Sequence, residues 1–377
     1  MNKRYINEIY VTRALAIMGV LIVHATSFPV SQYDPNTFTF EAYSFLNTFF
    51  RFGTPTFIFL SSFVLFYSYY HRPLTSQLIL GFYKKRLLYI ILPYIIFSVI
   101  YFMYNYEYYS SVFTTRELVS TFFNQLLTGS TASHLYFVFI SIQFYLLFPL
   151  LLFAFKKWPG LVKYSIILGF VIQWAFVFLN HQYGLIMNKG IVSLSYFSYY
   201  FFGIYLGVNF DKFSNFFSFE FKWKEKLLSG FIWIIWAIFS IAHALIWVWT
   251  RTTGQWAENL VYEALWNGHT FFSALVLLQA SFYIYKNWST KLNNVLIHLG
   301  VVSFGVYLIH LLILNLYQKY VPMPGDSLLY HLKSFGGFII VLALSWLIVG
   351  IVTRYKYSWI LFGATPKKIP YKEKEKH

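Results

Sequence analysis

The stretch IYVTRALAIMGVLIVHATSF, residues 9–28, is an apolar run interrupted by two ionisable side chains, Arg13 and His24. As a helix, a run of that length spans about 30 Å, the thickness of a bilayer's hydrocarbon core. Nine further apolar runs follow, at about 45–70, 87–106, 135–155, 161–180, 194–210, 228–250, 269–285, 295–317 and 335–353. The composition agrees. Of the 377 residues, 58% are hydrophobic, 24% aromatic and 11% charged, whereas soluble domains carry about 25% charged residues. A disordered chain and a soluble domain are both excluded. The expected fold is all-α, a polytopic transmembrane helical bundle of about ten spans.

The loops give an independent check. With the N-terminus inside, twenty-two Lys and Arg fall in inner segments and five in outer ones, alternating loop by loop. That is the positive-inside pattern, so both termini are expected in the cytoplasm and the protein in the plasma membrane as a multi-pass chain. It also accounts for the net charge of +16 without nucleic acid. Residues 1–355 form the expected membrane domain, and 356–377 a basic cytoplasmic tail whose KKIPYKEKEKH end suits contact with the inner leaflet. Arg13 interrupts the first run and no small-residue cleavage site follows, so it does not read as a signal peptide. The longest connections, 107–134, 211–227 and 251–268, are too short for a folded catalytic domain, which places any chemistry in the helices.

Ionisable groups at membrane depth are costly and therefore candidates for function. Arg13 and His24 are eleven residues apart. At 100° per residue they lie about 20° off a shared line, separated by a rise of about 16 Å. One helix flank thus carries a permanent cation low and a titratable imidazole high. That arrangement could hold an anionic cofactor by its phosphates and set a general base at its reactive end. The alternative is an arginine snorkelling to the inner headgroups and a histidine satisfied by neighbouring helices.

Other candidates are each balanced by a plainer role. Lys84, Lys85 and Arg86 in FYKKRLLYIILPY (82–94) could grip phosphate or simply mark the inner side. His134, opening SHLYFVFISIQFYLLFPLL (133–151), could line a pocket mouth near His24 or sit at the interface. Ser303, Tyr307 and His310 in LGVVSFGVYLIHLLIL (299–314) share one helix face, as a site stripe or as inter-helix hydrogen bonding, and Gly300 and Gly305 allow close helix approach. Arg51 in RFGTPTFIFLSSF (51–63) could bind substrate hydroxyls or a carboxylate, or anchor the span, and Pro55 should kink it. His243 is a lone intramembrane histidine with no assigned role. With no cysteine, no His-Glu-x-x-His and no Gly-x-Ser-x-Gly, no metal site, thiolate nucleophile or serine hydrolase is expected.

The ordered set of motifs resembles the acyltransferase-3 family of integral-membrane O-acyltransferases. It comprises Arg13-x(10)-His24, FGTPTFIFLSSFVLF (52–66), KKRLLYIILPY (84–94), HLYFVFISIQFYLLFPLL (134–151), FFGIYLGVNF (201–210) and SFGVYLIHLL (303–312). Within that family, RFGTPTFIFLS, YIILPY and the basic IPYK tail resemble the membrane proteins of intercellular-adhesion polysaccharide systems. The resemblance covers essentially the whole chain. It implies transfer of an acyl group, acetyl by default, from cytosolic acyl-coenzyme A to a hydroxyl of a surface glycan or lipid-linked sugar, without a metal. Arg13, Lys85 and Arg86 would hold the coenzyme A and His24 would be the general base. Arg51, His134, Ser303, Tyr307 and His310 would be substrate-pocket residues. A polysaccharide synthase complex is an implied partner. Three positions depart from the family pattern: Tyr89 replaces the second Arg of Arg-x-x-Arg, Ser62 stands in a Ser-Ser-Phe where Ser-Gly-Phe is usual, and Tyr136 replaces a Trp. A glycan exporter and a non-catalytic membrane subunit remain open as readings of a different class.

Overall fold

A computed structural model describes residues 5–220, 222–322, 328–366 and 368–373. Lys3, Arg4 and Lys367, and the tail beyond Glu373, lie outside the described residues. The described residues form these α-helices: α1 Glu8–Gln32, α2 Phe38–Phe49, α3 Gly53–Tyr69, α4 Ser76–Tyr104, α5 Tyr106–Val112, α6 Thr115–Thr128, α7 Tyr136–Lys157, α8 Leu161–Tyr183, α9 Phe197–Phe217, α10 Trp223–Thr253, α11 Asn259–Asn287, α12 Thr290–Tyr320, α13 Leu328–Val352 and α14 Trp359–Phe362. No strand occurs among the described residues.

Eight segments are long and apolar enough to cross a membrane: α1, the α2–α3 pair, α4, α7, α8, α10, α12 and α13. The two remaining apolar runs fall on α9 and α11, of 21 and 29 residues, which do not reach the same apolarity. In α11 the reason is visible. It buries Asn267, His269, Thr270, Ser273, Gln279 and Ser281, polar groups that a helix enclosed by protein can satisfy and a lipid-facing one cannot. The expectation of about ten spans is thus met by apolarity for eight.

Local chemistry sets the helix ends. Thr37 and Thr75 cap α2 and α4 by accepting from the backbone N–H of Phe40 and Leu78. Gly129, Gly184 and Gly254 close α6, α8 and α10 in the left-handed conformation. The break in the second run was expected at Pro55 but falls earlier, at residues 50–52, where the chain turns between α2 and α3. Pro55 stands in the first turn of α3, where a missing N–H costs nothing.

The chain divides into two compact units. The first comprises Met1–Phe57, Asp211–Ile351 and Pro366–His377. In it α1 packs on α12, α2 and α11, and α10 packs on α2 and α11. The buried residues of α1 are mostly apolar, Val11, Ala14, Ile17 and Leu21 among them, with Glu8, Thr12 and Thr26 as polar exceptions. The crossing with α12 is closest at Gly300, where any Cβ would lie 1.8 Å from the carbonyl oxygen of Tyr10. The tail was expected against lipid, but Lys372 is tied to protein. Its N–H donates to Asn294 Oδ1 (2.7 Å), its carbonyl accepts from Asn294 Nδ2 (3.2 Å), and its Nζ donates to the Tyr285 carbonyl (2.6 Å).

The second unit comprises Ile58–Phe210 and Val352–Thr365. Its α3 and α9 touch along the backbone. A Cβ on Gly203 or Gly207 would meet the Phe59 or Phe63 carbonyl at 2.5 or 2.6 Å, and Ser62 Oγ donates to the Tyr200 carbonyl at 2.6 Å. The loop before α9 is held by Gln143 of α7, which donates to the Ile191 carbonyl (2.7 Å) and accepts from the Ser193 N–H (2.9 Å).

Candidate functional site

The flank of α1 that carries Arg13 and His24 faces α12. Arg13 Nε donates to Ser303 Oγ at 3.1 Å. Ser303 in turn donates to the Gly300 carbonyl at 2.9 Å, so its hydroxyl lone pairs are directed at the guanidinium. Higher on the same flank, the His24 ring lies 5.1 Å from the His310 ring, the planes inclined at 52°. The pairs Tyr10–Gly300, Arg13–Ser303 and His24–His310 advance in the same order along both helices, so α1 and α12 run parallel. Ser303 and His310 are fully buried, whereas Arg13 and His24 are half-buried and keep some accessible surface. His310 Nδ1 lies 2.6 Å from the Tyr307 carbonyl. Because a carbonyl only accepts, Nδ1 carries the proton and Nε2 holds the lone pair of the neutral ring. The Tyr307 ring backs His310 at 5.7 Å. The stripe Ser303, Tyr307 and His310 thus adjoins the Arg13–His24 flank.

Arg51 lies in the α2–α3 turn of the same unit, where its Nη2 donates to Asn47 Oδ1 at 2.7 Å. Asn47 was not a candidate from sequence, yet it ties α2 to the His24 turn. Its Nδ2 donates to the Val23 carbonyl (2.8 Å), Ser27 Oγ (3.1 Å) and Thr26 Oγ1 (3.2 Å). A second arginine, Arg251 of α10, reaches the same amide: Nη2 to Asn47 Oδ1 at 3.3 Å and Nη1 to Ser44 Oγ at 3.0 Å. In sequence Arg251 is one of five outer-loop cations, and nothing local marks it except Trp247 one turn earlier. His243 is not alone, since its Nδ1 lies 2.9 Å from His269 Nδ1 on α11. One ring therefore donates to the other, and that pairing offsets part of the cost of burying them.

The remaining candidates belong to the second unit. Lys85 is exposed and Arg86 half-buried on α4. Tyr89 packs edge-on against Trp359 of α14, ring centroids 5.2 Å apart. His134 precedes α7, is buried, and meets the Tyr101 ring edge-on at 5.1 Å. Among the described residues no group of three or more His, Asp or Glu is placed to hold a metal ion.

Comparison with known proteins adds to this geometry. The acyltransferase-3 family model, described as an acyltransferase domain, matches residues 6–350. The chain is 23% identical over 333 residues to a protein of Staphylococcus aureus (strain MRSA252) named probable poly-beta-1,6-N-acetyl-D-glucosamine export protein, covering 84% of each chain. It is 23% identical over 387 residues to a protein of the same name in Staphylococcus epidermidis, covering 98% of each. No solved structure matches.

Proposed function

The chain belongs to the acyltransferase-3 family, and from that premise we propose that it is an integral-membrane O-acyltransferase of the plasma membrane acting on a surface polysaccharide. The observation that carries this reading is the double contact of one α1 flank with α12, Arg13 on Ser303 and His24 against His310. With both termini in the cytoplasm, Arg13 stands toward the inner leaflet and His24 toward the outer. Acyl-coenzyme A, with acetyl as the default acyl group, approaches from the cytosol. The Arg13 guanidinium, always protonated, binds its phosphates. His24 accepts the proton of an acceptor hydroxyl. The hydroxyl oxygen bonds to the thioester carbonyl carbon, the carbon–sulfur bond breaks, and the thiolate of coenzyme A leaves and takes up the proton from His24. A neutral imidazole suits this exchange because one ring nitrogen holds a lone pair that can take the hydroxyl proton and hand it on to the thiolate.

The relatives' printed names favour a second reading, export of a poly-N-acetylglucosamine. One experiment separates the two. His24→Ala and Arg13→Ala are made separately, and surface polymer is weighed and its ester content measured by mass spectrometry. Loss of ester with normal polymer yield supports transfer, and loss of polymer itself supports export. Full acylation in both variants at wild-type protein levels refutes the assignment of these residues.

A further inference from the structure

We propose that Arg51 and Arg251 form an oxyanion-binding subsite beside the turn of α1 that carries His24. Three observations converge. The two guanidiniums share one acceptor, Asn47 Oδ1, at 2.7 and 3.3 Å, so the bonded nitrogens are at most about 6 Å apart, the sum of those lengths. Both also lie over the ring of Trp247, at 5.6 Å for Arg51 and 5.3 Å for Arg251. Two like charges at that separation repel, the more so where protein excludes water.

The second observation concerns Arg251. Its partners are neutral: Ser44 Oγ, the Ser44 carbonyl, Asn47 Oδ1 and the Trp247 face. No carboxylate among the described residues forms an ion pair with it. Hydrogen bonds to neutral acceptors fix the direction of the guanidinium without cancelling its charge. A bound anion would cancel it, and paired planar forks match the oxygen spacing of a phosphate or carboxylate.

Third, the subsite is built and accessible. Ser44 and Asn47 are buried and hold the cations from behind, while both arginines are half-buried and keep open surface. Asn47 also grips Val23, Thr26 and Ser27, the residues on either side of His24. An oxyanion held here sits against the α1 turn whose imidazole the proposed chemistry uses. The anion could arrive on a soluble molecule or as a lipid headgroup phosphate; the recognition chemistry is the same.

The test uses the full chain purified in maltoside detergent, with inorganic phosphate as probe against sodium chloride at equal ionic strength. Wild type is expected to melt on the order of 2 °C higher in phosphate. Arg251→Gln should lose that increment. Ser44→Asp should lose it too, because it sets a carboxylate where Ser44 Oγ now meets Arg251. Arg251→Lys, which keeps the charge and loses the fork, should retain part of it. In a second arm, native mass spectrometry records phospholipid carried through purification. Phospholipid held by wild type and lost by both Arg251→Gln and Ser44→Asp identifies the occupant as a headgroup phosphate. An equal phosphate increment in wild type and Arg251→Gln overturns the subsite, as does the absence of both increment and retained phospholipid in wild type. If Ser44→Asp fails to fold, Arg251→Gln decides. None of these readouts involves acyl transfer, so the result stands apart from that reading.

Discussion

The His24 ring rests against the His310 ring, centroids 5.1 Å apart, on two parallel helices that lie 286 positions apart in sequence at this contact. His310 is fully buried and its Nδ1 proton is committed to the Tyr307 carbonyl. A buried ring held in one tautomer beside a half-buried ring is suited to fixing where the second one points.

His310 is therefore expected to act as a positioning residue. His310→Gln should lower acyl transfer by about 10²-fold, the scale of a misplaced general base. It should also move the acid limb of the pH–rate profile. A substitution that only loosened packing would lower the amount of folded protein and leave that limb in place, so the profile decides.

Ser303→Ala removes the acceptor of Arg13 Nε. A hydrogen bond to a charged group is worth about 1.5–3 kcal/mol, so the donor KM should rise by roughly ten- to a hundredfold with kcat retained, and Arg13→Ala should be worse. Steady-state kinetics with acetyl-coenzyme A measures this. Equal kinetics for Ser303→Ala and wild type would detach α12 from donor binding.

The α1–α12 crossing depends on the missing side chain at Gly300. A Cβ 1.8 Å from the Tyr10 carbonyl forces the helices apart, and Gly300→Ala should cost at least about 1–3 kcal/mol. Gly230 on α10 has nothing within 4 Å of its would-be Cβ, so Gly230→Ala should instead stabilise by about 0.5–1 kcal/mol through helix propensity. Melting temperatures of the two variants should move in opposite directions.

Outside the spans, the start of α6 should respond to pH. Glu117 accepts from the Thr114 N–H and hydroxyl, each at 2.8 Å, and these bonds hold its carboxyl below the ordinary value of 4.5. A carboxyl depressed on folding stabilises above its unfolded pKa and loses that contribution as pH falls through the folded one. Hydrogen exchange in the first turn of α6 should therefore quicken, relative to the intrinsic rate, as the pH falls below the ordinary glutamate value of 4.5 and through the depressed one. Glu117→Gln should show no such dependence.

Much of this was readable in the chain itself. The apolar runs placed every long helix, because the 3.6-residue period and the bilayer's thickness are both local constraints. Arg13 and His24 could be put on one flank from their spacing alone, as could Ser303, Tyr307 and His310. Hydropathy did less well for α11, whose buried Asn267, His269 and Gln279 lower its apolarity while its neighbours satisfy them. Proline chemistry marked the right part of the second run but not the residue: the chain turns at residues 50–52, just ahead of Pro55.

What sequence alone determined is the helical class, the membrane-spanning segments and the internal geometry of each helix face, all consequences of interactions within a few residues. Tertiary structure decided which faces meet. It set Ser303 on Arg13, paired His243 with His269, and brought Arg251 and Arg51 to a single Asn47. Arg13–Ser303, His243–His269 and Arg251–Asn47 lie 26 to 290 positions apart in the chain, whereas Arg51 and Asn47 are only four apart. They are brought together by backbone approaches such as Tyr10 on Gly300, whose register comes from the packing of whole helices and leaves no periodic trace in any one of them.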